Sequence, residues 1–178
     1  MNRSQLITHV QGLDIELNQL FKSLQSYSHD ALNLSPKPGA WSANQVLHHI
    51  MLSERYSQQY CEKKLSFEPQ LGKAGWQDSI RSKLVAWYLQ APLKVKAPKN
   101  ISGPALPDDS KLADIEEEWL KQREGLHQFF QNVPERYLDK TVYKHPFGGR
   151  LSFEGMLTFF RAHFQRHERQ IWRTVPKT

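Results

Sequence analysis

The chain has 178 residues, 39% hydrophobic and 24% charged, with five Trp and nine Phe, a composition that builds a packed core and excludes global disorder. The net charge of +6 and pI near 9.4 are dispersed and interrupted by acidic runs such as Glu116-Glu117-Glu118. The nearest basic stretch, PLKVKAPK (92–99), is too short for the concentrated stripe that binds nucleic acid.

Residues 2–25 set Leu6, Val10, Leu13, Leu17, Leu20, Phe21 and Leu24 at spacings of three and four. That is one face of a long amphipathic helix. Its charges and amides also exclude the apolar core of a signal peptide. SHDALNLSPKPGA (28–40) then breaks the pattern. Ser42 and Gln45 form a capping box, and Trp41 with Val46 a hydrophobic staple. They open a second helix over about 43–64, whose expected inward stripe is Val46, His49, Ile50, Ser53, Tyr56 and Tyr60.

Residues 66–75 are expected as loop. Asp78 is the expected cap of a shorter helix to about 90, with Ile80, Leu84, Trp87 and Tyr88 facing inward. Four prolines between 92 and 107 then impose an extended connection. A helix over about 110–132 carries Leu112, Ile115, Trp119, Leu126, Phe129, Phe130 and Val133 on its apolar face. LDKTVYKHPFGGR (138–150) is irregular with a short extended piece, turning at Gly148-Gly149. Ser152 caps the last helix, with Leu151 and Met156 as its staple.

The inward stripe of that last helix is Phe153, Met156, Leu157, Phe160, His163, Phe164, His167 and Ile171. These elements predict a single all-α domain over 1–178. It is a four-helix bundle with a short extra helix and a long connection between the second and third long helices.

No apolar run approaches the roughly 20 residues of a membrane span. The single Cys61 cannot form an internal disulfide. A cytoplasmic protein with neither membrane nor nucleic-acid partners is the expectation. Cys61 sits on a helix with no base near it, so it is expected to be inert packing.

The histidines carry the chemistry. His163 and His167 are four apart on one helix, where Cβ atoms lie about 5–6 Å apart, close enough for two imidazoles to share a cation. Both lie in an apolar stripe, as does His49, and burying three imidazoles is costly unless they are used together. At about 1.5 Å per residue, His163 and His167 lie roughly 16 and 22 Å beyond Ser152, and His49 roughly 22 Å from the far end of its helix. The three come level if those two helices are antiparallel.

His48, rotated about 100° from His49, is expected at the helix edge as a supporting or interface group. Ser53, Tyr56 and His145 are further pocket candidates. His127 belongs at a core edge, and His9 and His29 show no partner. Glu54 lies about 140° from His49 around the helix and is expected to serve packing.

WSANQVLHHIMLSE (41–54) and HPFGGRLSFEGMLTFFRAHFQRHERQI (145–171) resemble the two signatures of the DinB/YfiT-like family, and the order of helices agrees. The resemblance implies an up-down-down-up bundle binding one divalent metal through His49, His163 and His167, with Zn or Ni the natural ions for imidazole. It also implies thiol-transferase activity with a low-molecular-weight thiol and an electrophilic substrate. Metal-dependent hydrolysis and non-catalytic metal or ligand binding in a stress response are the alternatives, and a homodimer is compatible with it. Asn44 departs from the usual residue in the first turn and is expected to be without consequence. No inward carboxylate stands beside the histidines, so no catalytic base is assigned.

A net +2 centre favours a thiolate over neutral water. A thiol's pKa of about 8.5 also lies far below water's 15.7. Lys94, Lys96 and Lys99 put positive charge on the 92–109 connection. If that segment folds over the metal end of the bundle, it selects an anionic substrate or thiol.

Overall fold

The computed structural model describes residues 1–91 and 99–176, with Lys99 and Pro104 as backbone alone. Helix α1 (Arg3–Leu24) begins at a reciprocal capping box between Asn2 and Gln5, and all seven apolar residues of its expected face are buried. A five-residue helix, α2 (His29–Asn33), capped by Ser28, occupies part of the segment expected as a break. Helix α3 (Ala43–Leu65) starts at the expected Ser42–Gln45 box. Helix α4 is Trp76–Gln90 and α5 is Leu112–Asn132. Two 3-10 turns, Lys99–Ile101 and Gly103–Ala105, lie in the connection before α5. Helix α6 (Phe153–Thr174) is capped by the Ser152 side chain on the Gly155 amide, and its whole expected stripe is buried.

Side-chain pairs fix the direction of each helix. Arg3 reaches the carbonyls of Phe130 and Val133, Asp14 meets Arg123, and Phe21 packs on Trp119, so α1 and α5 are antiparallel. Gln45 bonds Asp108, just before α5, and Glu54 bonds Trp119 and Arg123 further along it, so α3 runs with α5. His49 meets His163 while Cys61 meets Met156, so α3 opposes α6. The result is the up-down-down-up arrangement, with the antiparallel α3 and α6 that levelling the histidines required. No helix among the described residues is long and apolar enough to cross a membrane.

The extended piece between α5 and α6 is a hairpin. Strand β1 (Tyr143–His145) pairs antiparallel with β2 (Gly149–Leu151), with His145 opposite Gly149. Gly149 has φ +70°, the left-handed conformation that glycine takes without strain.

Helix α4 corrects the expectation most. Ile80, Leu84, Trp87 and Tyr88 are exposed, Trp87 by 69%. The face turned inward carries Asp78, Ser82, Val85 and Leu89. Gly75, without a side-chain bond, stands at the N-cap. Asp78 instead accepts the Ser152 amide at 3.0 Å, joining α4 to the start of α6. Polar residues are buried here because the two helices approach through Gly155.

A Cβ on Gly155 would lie 2.4 Å from Ser82 Oγ and 3.0 Å from Leu151 Cβ. Gly155→Ala is therefore expected to lower stability by about 1–3 kcal/mol, despite alanine's better helix propensity. Urea denaturation measures it; an unchanged midpoint would mean that the α4–α6 contact yields freely.

Candidate metal centre

Two helices deliver three buried imidazoles to one place: His49 from α3, His163 and His167 from α6. Ring centroids are 5.1 Å apart for His49–His163, 4.7 Å for His49–His167 and 4.5 Å for His163–His167. One ligand nitrogen from each lies within 4.8 Å of the other two. A tetrahedral ion with bonds of 2.0–2.1 Å needs nitrogens about 3.3 Å apart, and the His49 and His163 Nε2 atoms, 3.2 Å apart, have that spacing.

Hydrogen bonds decide which nitrogen faces inward. His49 Nδ1 lies 2.7 Å from the Ile101 carbonyl, which can only accept, so Nδ1 carries the hydrogen and Nε2 a lone pair. His167 Nδ1 donates in the same way to Gln170 Oε1 at 2.9 Å. His49 Nε2 and His163 Nε2 face each other at 3.2 Å. Two lone pairs at that distance repel, and a shared hydrogen or a cation relieves it. Bonds that hold the outer nitrogen and free the inner one are the usual support of metal-ligating histidine. The donor set fits a divalent ion.

All three rings are held below the ordinary histidine pKa, by burial first. For His163 the neighbouring His167 and His49 add to the effect. His167 is lowered to about 3, so the lone pairs are available at neutral pH. A histidine with a depressed folded pKa takes up its proton on unfolding. Its stabilisation is full above the unfolded value of about 6.5 and is lost as pH falls toward the folded value, by up to about 1.4 kcal/mol per unit and group. The metal-free protein is expected to show a falling denaturation midpoint from pH 6.5 to 4. A flat midpoint there would mean that the rings take up protons in the fold as readily as in the unfolded chain.

The cluster opens onto a cavity of about 1670 Å³. Its wall includes Trp41, Tyr56, Tyr60, Tyr143 and Phe159, with the basic residues Lys37, Arg81, Lys144, Arg166 and Arg173. Among the described residues lining it there is no Asp or Glu.

Ser53 and His145 line this cavity and are buried. Tyr56 lines it too, but at 42% exposure it belongs to the mouth and not to the buried stripe. His48 is turned away, with Nε2 2.9 Å from Ser110 Oγ, and does not line the cavity. The connection between α4 and α5 does reach the site, through the Ile101 carbonyl and Asn100 in the wall. Lys94 and Lys96 lie outside the described residues, as does the Lys99 side chain.

Glu54 is buried in an ion pair with Arg123 and takes no part in the cluster. Asn44 has a consequence after all: its amide donates to Asn33 Oδ1 and to the Ser110 carbonyl, tying α3 to α2 and to the segment before α5. Cys61 is fully buried, and burial pushes its thiol pKa up, so it is inert. His127 bonds Asp14 and His29 bonds Asp109.

A model of the DinB superfamily matches residues 13–171. The chain belongs to the DinB superfamily. The matched range includes all three clustered histidines. No curated protein and no solved structure matches the chain significantly.

Three supports of this DinB site were not anticipated. Trp41, expected as a staple, also packs on His49 with centroids 4.9 Å apart. Gln170 stands three residues after His167, within helical reach, and that spacing was the signal available. The Ile101 carbonyl, from a remote turn, had none.

Proposed function

We propose that this DinB protein is a metal-dependent transferase that joins a low-molecular-weight thiol to an electrophile. The observation that carries the reading is three neutral imidazoles converging on a cavity lined, among the described residues, by no carboxylate. His49, His163 and His167 would hold the ion. When bound, a divalent cation on neutral ligands supplies the positive charge that acidifies a thiol.

The chain's own residues do the rest. Ile101 and Gln170 fix the tautomers of His49 and His167. Trp41, Phe159 and Tyr143 give the inner wall an aromatic lining that disfavours water. Arg166 and Arg173, on the same helix as two of the ligands, favour an anion over a cation. In the reaction the thiol sulfur forms a bond to carbon, the carbon–leaving-group bond breaks, and the thiol proton passes to solvent. Hydrolysis would draw on water acidified at the same ion, but no Asp or Glu among the described lining residues stands ready as its base.

The test is a panel of low-molecular-weight thiols against a bromoalkyl probe, with metal-loaded protein, metal-free protein and His163→Ala. Thioether formation by the loaded wild type alone is expected. Ester or amide turnover without thiol, lost in the metal-free form, would replace the transferase by a hydrolase. No turnover in either assay would leave a metal-binding protein.

A further inference from the structure

His145 ends β1 and sits 94% buried on the cavity wall, with 6% exposure. Its ring packs edge-on against Phe159 at 4.5 Å, and Phe159 in turn packs on His163 at 5.2 Å. One aromatic ring thus separates it from the metal cluster. Its Nδ1 accepts two backbone amides, Phe147 at 3.2 Å and Gly148 at 2.9 Å. An atom that accepts two N–H groups carries no hydrogen, so the neutral ring must carry it on Nε2. Among the described residues no acceptor faces Nε2.

The hairpin enforces this choice. Gly148 stands so close that an added Cβ would lie 3.2 Å from His145 Nδ1 and 2.5 Å from Val85. The backbone can therefore press its amide onto the ring only with glycine there. Burial also lowers the His145 pKa to about 4, so the ring stays neutral near pH 7. A neutral imidazole whose one unengaged nitrogen bears hydrogen cannot act as a base. It can only donate. The hydrogen on Nε2 is left for the cavity that the ring lines, whose described lining residues include no Asp or Glu to accept it.

We propose that His145 Nε2–H is a hydrogen-bond donor to an oxygen of the molecule bound in this cavity, a carbonyl or carboxylate held beside the metal cluster. The proposal deepens the transferase reading by giving its electrophile a chemical class: a carbonyl- or carboxylate-bearing compound whose oxygen meets a fixed neutral donor. The basic residues of the wall suit the carboxylate case. Neutral donors of this kind stabilise oxygen charge without surrendering a proton.

The experiment uses 15N-histidine-labelled full-length protein, metal-free and zinc-loaded, with benzoate as the probe. Nitrogen spectra at pH 7 are expected to show His145 as the Nε2–H tautomer in both forms, and benzoate should shift that N–H proton downfield. His145→Phe should weaken benzoate binding about tenfold or more, as loss of a hydrogen bond to a charged acceptor does. An Nδ1–H tautomer or a protonated ring in wild-type protein, read without any variant, would overturn the proposal. So would unchanged benzoate affinity in a folded His145→Phe. Absence of metal uptake would instead overturn the transferase reading alone, since the tautomer and the benzoate contact are read in the metal-free protein as well.

Discussion

Replacing His163 or His167 by alanine is expected to lower divalent-metal affinity by at least about 100-fold, and His49→Ala to do the same. Changing only the hydrogen-bond partner of a ligating histidine typically costs 10–100-fold, and removing the ligand removes more. The wild type should take up close to one Zn or Ni ion per chain, measured by elemental analysis and competitive chelator titration. His48→Ala should leave affinity nearly unchanged, because its ring bonds Ser110 and does not line the cavity. Gln170→Ala belongs between these, since it loosens the His167 tautomer without removing a ligand. No uptake by the wild type, or equal loss in His48→Ala, would sink the assignment of the three imidazoles.

The bundle was legible because α1 and α6 each carry an unbroken inward stripe behind a side-chain cap, and α3 does so over its first half, before Tyr56 turns to the cavity mouth. The cluster was legible for the same reason: His49, His163 and His167 lie within those stripes, and the stripe fixes where they point. Helix α4 was not. Its largest apolar residues, Trp87 and Leu84 among them, face outward, while Asp78 and Ser82 are buried against α6. Periodicity follows size and apolarity, but a close helix approach through Gly155 selects small and bonded side chains. Asn44 was misjudged on similar grounds, because its partners, Asn33 and Ser110, are remote in sequence. His145 was placed at the pocket, yet its tautomer depends on two amides of the following turn. Sequence shows such a turn only as glycines beside a proline.

Arg123→Met is expected to destabilise the fold by about 3–5 kcal/mol, as much as truncating a large core side chain. Arg123 is 2% exposed and bonds Glu54 through two nitrogens, Nε at 2.9 Å and Nη2 at 2.8 Å. It reaches Asp14 at 3.2 Å through Nη1, and Glu54 also accepts the Trp119 indole N–H at 3.0 Å. One guanidinium thus holds α1, α3 and α5 together. Methionine fills much of the volume, so the loss comes from charge: Glu54, also 2% exposed, loses its cationic partner inside the bundle. The double replacement Glu54→Leu/Arg123→Met removes both charges and should recover most of the stability, since apolar packing can match a buried pair. His49 lies on the same helix as Glu54, so any weakened metal binding in Arg123→Met should be recovered in the double variant along with the fold. Equal destabilisation of single and double variants in urea denaturation would show that shape, and not the buried pair, governs this junction.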